Sequence, residues 1–149
     1  MERLLDYNNR EEMYRFLIDD FGLVLVQEKY EKESFGNFFV DLAARNFLLR
    51  YVNDREYLTI EISSRTGPNN WLDLSFIRDF IYDPDHMNNH GRRLDNFTRI
   101  SELNDFIIKD FDLISNWFSE MNYKTNLKKL NELLDQAFDR NFPGKRMKK

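Results

Sequence analysis

The stretch "NFLLRYVNDREYLTIEIS", Asn46 to Ser63, decides the fold. Two runs rich in aromatic and β-branched residues, "NFLLRYVN" (Asn46–Asn53) and "EYLTIEIS" (Glu56–Ser63), flank a short polar break, which predicts two β-strands joined as a hairpin. In an antiparallel hairpin the numbers of opposed residues have a constant sum. A loop with an even number of residues, at Asn53-Asp54 or at Asp54-Arg55, makes that sum odd.

The odd sum predicts which side chains share a face of the sheet. Alternate apolar residues of the two strands coincide on one face: Phe47, Leu49, Tyr51, Leu58, Ile60 and Ile62. The preceding run "GNFFVDLA" (Gly36–Ala43) predicts another strand, and an even loop around Ala44-Arg45 adds three more residues to that face: Phe38, Val40 and Leu42. We therefore predict that this face, the core face, packs against the rest of the protein.

The opposite face, here called the outer face, is mixed in character. It collects Phe39, Asp41, Leu48, Arg50, Val52, Tyr57, Thr59 and Glu61. This set is too apolar for a plain solvent face and too charged for a core. Two interpretations stay open. A helix could cover the face, or the face could bind a partner, since exposed apolar patches of this size usually mark interaction sites. Its candidate partner-binding residues are Phe39, Asp41, Arg50, Tyr57 and Glu61.

The flanking sequence completes an α+β fold. A fourth strand is predicted at "LVLVQEKY" (Leu23–Tyr30), where either Leu23 and Leu25 or Val24 and Val26 could face the core. The spacing of apolar residues in "REEMYRFLIDDF" predicts a helix from about Asn9 to Asp20. We thus expect a four-stranded antiparallel meander, preceded by one helix and followed by about three helices packed mainly on one face.

The three later helices follow from their apolar periodicity. The first is expected to begin at Trp71 and to end before Pro84. The second carries a stripe from Ile100 to Met121, and the third is expected to run from about Thr125 to Pro143.

The segment "SSRTGPNNWLDLSF", Ser63 to Phe76, forms the corner between sheet and helices. Gly67-Pro68 predicts a turn, and Asn70 is expected to cap a helix under which Trp71 packs. Arg65 is the exception, because Asp73 is its only obvious partner. Its guanidinium could equally bind a carboxylate or phosphate of a ligand, so Arg65 is a further candidate site residue.

A resemblance also lies at this corner. The run "LRYVNDREYLTIEISSRTGPNNWLDLSFIRDFI", residues 49–81, resembles the central segment of a family of small bacterial α+β proteins that are themselves similar to immunity proteins of polymorphic-toxin systems. The shared elements are a strand hairpin, Ser-Arg, a Pro turn and a Trp-x-Asp-Leu helix start. The resemblance implies an α+β binding protein and carries no catalytic residues.

Charge is unevenly distributed along the chain. The last seven residues hold four of the 22 basic residues and none of the 26 acidic ones, which leaves residues 1–142 with a net charge of −8. We expect a single globular domain over residues 1–142 and a basic, disordered tail over 143–149. An acidic body repels nucleic acid and attracts a basic protein surface.

Other classes of function find little support. The chain has no cysteine and five glycines, which excludes a thiol nucleophile and leaves little material for a phosphate-binding loop. His86 and His90 have the helical spacing of two zinc ligands, but Asn-Asn between them and Gly91 after them favour a loop. We expect no metal and no cofactor at this stretch. The charged N-terminus and the lack of a long apolar run predict a cytoplasmic protein without a membrane span.

Two functional hypotheses remain. The first is a non-catalytic protein-binding module, such as a bacterial immunity-type inhibitor that covers a basic partner surface. The second is a small-ligand or metal-dependent protein with a pocket near Arg65, His86 and His90. A deep pocket with convergent polar groups would favour the second hypothesis.

Overall fold

The structure is a computed structural model, and it describes residues 5–67, 70–87 and 94–141. The expected α+β class is confirmed. In chain order the elements are α1 (Glu11–Asp19), β1 (Val24–Glu31), β2 (Asn37–Ala43), β3 (Phe47–Asp54), β4 (Tyr57–Ser64), β5 (Leu72–Asp73), α2 (Leu74–Tyr82), α3 (Asn96–Trp117) and α4 (Tyr123–Asn141). Short 3-10 turns lie at Tyr7–Asn9 and Pro84–His86.

The sheet is an antiparallel meander in the order β1-β2-β3-β4-β5. The four predicted strands are present, each within about one residue of the expected bounds. The fifth strand was not predicted. Leu72 and Asp73 return beside β4 and pair with Ile62 and Glu61, a stretch too short to carry an alternating pattern.

The predicted parity of the core face is confirmed. Asp54 lies opposite Tyr57, so the loop of β3 and β4 has two residues, and both of them have positive φ, 52° and 70°: Arg55 and Glu56. Positive φ at both positions is the geometry of a type I′ hairpin turn. The nine residues assigned to the core face are buried: Phe38, Val40, Leu42, Phe47, Leu49, Tyr51, Leu58, Ile60 and Ile62.

The helices bury their apolar stripes against this core. Buried residues from α1, α2 and α3 join the sheet residues in one cluster, which includes Leu17, Ile77 and Ile107. Asn104 of α3 connects three elements, because its Oδ1 accepts a hydrogen bond from Tyr51 Oη at 2.6 Å and its Nδ2 donates to Met13 O at 2.9 Å. This amide therefore fixes α1 and α3 relative to β3.

The corner after β4 differs from the prediction. The helix begins at Leu74 and not at Trp71, because the Asp73 side chain accepts a hydrogen bond from Ser75 N at 2.9 Å and caps it. Asn70 does not cap the helix. Its Nδ2 lies 3.1 Å from Tyr123 Oη. Trp71 does not pack under the helix, because its ring lies against Arg50 of the sheet.

The first strand adopts neither of the two expected arrangements. Leu23 is buried just before β1, but every residue of β1 is exposed. The register shifts between Leu25 and Gln27, so a β-bulge lies at Val26. β1 is therefore an open edge of the sheet.

The C-terminal region matches the prediction in part. α3 ends at Trp117, and Met121, expected in its buried stripe, lies in the following turn with 89% of its surface exposed. α4 buries Leu130 and Ala137, whereas Phe138 is 38% exposed. The predicted tail, residues 143–149, lies outside the described residues.

Candidate functional site

The outer face of the sheet mixes apolar and charged side chains. The side chains of Phe39, Leu48 and Val52 are half-buried there and do not belong to the hydrophobic core cluster. The buried residues of α1, α2 and α3 do belong to the core cluster, together with the residues of the core face of the sheet. Four of the six candidate residues, together with Trp71, meet on the outer face, and we call these five the Arg50 cluster: Phe39, Asp41, Arg50, Glu61 and Trp71.

Arg50 lies at the centre of this cluster. Its Nε donates to Asp41 Oδ1 at 2.7 Å and its Nη2 to Asp41 Oδ2 at 2.9 Å, which is a bidentate pair. Its guanidinium carbon lies 4.3 Å from the ring centroid of Phe39 and 4.1 Å from that of Trp71. Both distances suit cation–π contacts. The guanidinium is thus held by two rings and one carboxylate.

The sheet register explains why these polar residues meet. Gln27 lies opposite Asp41, Asp41 opposite Arg50, Arg50 opposite Glu61, and Glu61 opposite Asp73. A single polar row therefore crosses all five strands. At its β1 end, Gln27 Nε2 donates to Asp41 Oδ2 at 2.7 Å, so Asp41, only 2% exposed, has partners on both sides.

The polar row carries an excess of negative charge. It holds three carboxylates (Asp41, Glu61 and Asp73) and one guanidinium, that of Arg50. The hydrogen bond to Asp41 raises the pKa of Arg50. Burial raises the pKa of Glu61, and the charges of Asp73 and Asp41 raise it further, although Arg50 opposes this shift. A cation supplied from outside would relieve the cost of ionising Glu61.

Tyr57 lies apart from the Arg50 cluster. It begins β4, four residues and roughly 13 Å along the strand from Glu61. The guanidinium carbon of Arg99, a buried residue of α3, lies 4.0 Å from the centroid of its ring. Tyr57, 46% exposed, therefore shields a helix residue and does not extend the outer-face cluster.

Arg65 hydrogen-bonds to the backbone of the turn between β2 and β3. Its Nη1 donates to Ala44 O at 2.8 Å and its backbone N to Asn46 O at 3.2 Å. These contacts tie the end of β4 to the turn between β2 and β3. The expected partner Asp73 is instead engaged in capping α2.

The two histidines are only partly covered by the structure. His86 ends a 3-10 turn, and His90 lies outside the described residues. Within residues 5–67, 70–87 and 94–141 there is no group of three or more His, Asp or Glu side chains that could hold a metal ion.

Clefts also open on other parts of the described protein, and we consider two of them. One, of about 380 Å³, lies near the 3-10 turn Tyr7–Asn9 and is lined by both polar residues, such as Asp6 and Asn96, and aromatic residues, such as Tyr30 and Phe35. The other is an apolar groove between α1 and α3 that contains Phe16 and Ile108. Neither cleft is lined by Arg65.

Comparisons with known proteins return no relatives. No protein-family model matches the chain, and neither a curated protein nor a solved structure matches it. Within the described parts of the chain, no helix is both long enough and apolar enough to span a membrane.

Sequence reasoning missed three residues of the site. Gln27 could not be assigned to the outer face, because the sequence does not decide which side chains of β1 point to that face. Asp73 could not be assigned to it, because the two-residue strand β5 has no sequence pattern. Trp71 is predicted to begin the helix, whereas an N-cap at Asp73, with the helix starting at Leu74, leaves its ring free to lie on the sheet. The usable signal was Asp73 itself, since Asp is a favoured N-cap residue.

Proposed function

We propose that this protein is a non-catalytic binding module that covers a basic surface of a partner protein with the outer face of its sheet. Immunity-type inhibition, in which a small acidic protein blocks the working surface of a toxin, is the form of this function that we favour. The observation that carries the proposal is the polar row, in which three carboxylates lie in line with a single guanidinium that pairs with one of them, Asp41.

Charge supports a basic partner. Asp41 is satisfied by Arg50 and Gln27, whereas Glu61 is half-buried and lies between Arg50 and Asp73. A lysine or arginine of the partner placed beside Glu61 would stabilise its ionised form. The net charge of −8 over residues 1–142 would steer such a partner toward the protein from a distance.

The rigidity of the Arg50 cluster also supports the proposal. Binding costs side-chain entropy, and residues already held in place lose less of it. Arg50 is fixed by Asp41, Phe39 and Trp71 before any partner arrives. Arginine and tryptophan are also enriched among the residues that dominate interface energetics.

Site-specific photo-crosslinking tests the proposal in the host cell. A photoreactive amino acid replaces Thr59, which is half-buried on the outer face, or Glu132, which is exposed on α4. We expect the Thr59 probe to capture one protein with a basic surface and the Glu132 probe to capture none of it. Equal capture from both positions, or capture from Glu132 alone, would move the interface away from the outer face.

A further inference from the structure

The cleft beside the 3-10 turn Tyr7–Asn9 lies apart from the outer face of the sheet. Tyr30 lies opposite Phe38, and Phe38 lies opposite Asn53. Phe38 belongs to the core face, and residues directly opposite one another in a sheet share a face. Tyr30 and Asn53 therefore line the cleft from the core side of the sheet. The volume of the cleft, about 380 Å³, lies within the range of small-ligand sites, roughly 300–1,000 Å³.

Asn53 brings an unused hydrogen-bond acceptor to this cleft. The residue is only 9% exposed, and its Nδ2 donates to Gly36 O at 3.1 Å. Because Gly36 O can only accept, the amide nitrogen of Asn53 must face it, which leaves Oδ1 on the other side. No described group donates to Oδ1, which stays accessible in the cleft. Oδ1 can therefore accept a hydrogen bond from a bound molecule.

Two carboxylates line the same cleft. Asp6 Oδ1 accepts hydrogen bonds from the backbone N–H groups of Asn8 and Asn9 at 3.0 and 3.3 Å, whereas Oδ2 has no described donor. Glu56 is exposed and has no described ion pair. No described residue of the lining carries a positive charge. The cleft therefore offers acceptors and negative charge, which a cationic donor complements.

Two guanidinium groups that contact lining residues are already engaged elsewhere. Arg10 donates to Glu28 at 2.9 and 3.3 Å. Arg99 donates to Leu58 O at 2.8 Å. Neither arginine lines the cleft, so the negative charge there is left for a ligand to balance.

Aromatic rings complete the lining. Tyr30 stacks on Tyr7 with ring centroids 3.9 Å apart, so both rings are held in place. Phe35 is 79% exposed, and its φ of 58° lies in the left-handed region that non-glycine residues seldom adopt. Aromatic faces attract cations and also cover apolar chains. Rings beside carboxylates are therefore surroundings that suit an organic ammonium ion.

We propose that this cleft binds an alkylammonium ion, a positively charged amine on a short apolar chain. The ammonium group supplies three N–H donors and one positive charge, which match the free oxygens of Asp6, Glu56 and Asn53. The apolar chain lies against the rings of Tyr30 and Phe35. This site is separate from the outer face and does not depend on the partner proposed for that face.

Amide-detected NMR titration with pentylamine tests the proposal. We expect saturable binding with a dissociation constant below about 1 mM. The amide signals of Gly36 and Asn53 should shift, because both residues line the cleft, whereas that of Arg50 on the outer face should not. Pentanol has the same chain without the charge, and it should bind roughly tenfold more weakly.

Conservative variants locate the charge that binds the amine. Asp6→Asn and Glu56→Gln should each raise the dissociation constant of pentylamine roughly tenfold, because each removes a negative charge and keeps the shape of the side chain. Glu132→Gln, which removes the same charge from exposed α4, is the matched control and should change nothing. Circular dichroism checks the fold of Asp6→Asn, since Asp6 caps the 3-10 turn. Glu56 is exposed, so Glu56→Gln keeps the test valid in either case.

An alkylammonium ion could come from a free amine or from a lysine side chain, and lysine with both backbone ends blocked distinguishes the two sources. Binding tighter than that of pentylamine would support a lysine side chain as the natural occupant, and weaker binding would support a free amine. The proposal would be overturned by the absence of saturable pentylamine binding up to about 1 mM. Equal affinity for pentanol, or unchanged affinity in both Asp6→Asn and Glu56→Gln, would overturn it equally.

Discussion

Arg50 and Asp41 form a bidentate ion pair in which both nitrogen–oxygen distances are below 3.0 Å and the Asp41 side chain is 3% exposed. The two residues lie directly opposite each other on β2 and β3, so the pair links neighbouring strands on the outer face. Phe39 and Trp71 cover the guanidinium from its sides. The pair is therefore both a structural link and the fixed centre of the candidate site.

Breaking this pair should destabilise the protein. Asp41→Asn removes the charge but keeps the shape, and it leaves a half-buried guanidinium without its carboxylate. We expect the free energy of unfolding in urea to fall by about 1.5–3 kcal/mol, the range for hydrogen bonds to charged groups.

A double-mutant cycle with Arg50→Gln checks the origin of this loss. If the loss comes from the pair, Asp41→Asn should cost much less once Arg50 has been replaced. Additive losses would show that the two residues do not depend on each other.

The raised pKa of Glu61 predicts a pH-dependent stability. A carboxyl group whose pKa is higher in the folded state than in the unfolded chain stabilises the fold below its ordinary pKa, about 4.3. That contribution is lost as the pH rises through the raised value. Ionised Glu61 therefore weakens the fold at neutral pH.

Glu61→Gln should accordingly raise the melting temperature at pH 7 and lose this advantage below about pH 4, where the wild-type carboxyl group is protonated. Thermal unfolding of both proteins across this range is the measurement. A variant less stable than wild type at pH 7 would mean that attraction to Arg50 outweighs the burial of Glu61.

Tyr57 should stabilise the fold through its contact with Arg99. Tyr57→Ala removes the ring that covers the guanidinium, and we expect a loss of about 0.5–2 kcal/mol, the range for cation–π contacts. Tyr57→Phe keeps the ring and should be nearly neutral, because no described hydrogen bond involves the hydroxyl. Equal losses in urea unfolding for the two variants would show that the ring is not responsible.

The parity of the sheet can be tested by a neighbouring pair. Ile60 is fully buried and Thr59 is half-buried on the outer face. Ile60→Ala should cost about 2–5 kcal/mol of unfolding free energy, as expected for a deleted core side chain. Thr59→Ala, measured in the same way, should cost far less, and a reversal of this order would contradict the assignment of the faces.

Much of the fold could be predicted from the sequence because strand pairing is constrained. With a two-residue loop, the positions of Phe47 and Ile62 on one face follow from parity alone, and a shift of one residue in the loop, from Asp54-Arg55 to Arg55–Glu56, does not change it. β5 could not be predicted, since Leu72 and Asp73 form a strand only through pairing with β4. Such pairing is tertiary and leaves no local pattern.

The site could be predicted only where the strands are regular. Asp41, Arg50 and Glu61 were assigned to one face, and the structure brings them together. Tyr57 and Arg65 lie at the two ends of β4, where contacts come from α3 and from the turn between β2 and β3. The placement of helices and turns beside a strand end is not encoded in strand periodicity.

The central claim, that the outer face binds a basic partner through its excess carboxylates, is tested most directly by the affinity of Glu61→Gln for the partner captured by crosslinking at Thr59. The matched control is Glu132→Gln, which removes the same charge from exposed α4. We expect the dissociation constant of Glu61→Gln to rise roughly threefold to tenfold, about 0.7–1.4 kcal/mol, and that of the control to stay near wild type at physiological salt. Because Glu61→Gln should also stabilise the fold, weaker binding could not be attributed to unfolding. Equal affinities of Glu61→Gln and wild type would contradict the claim.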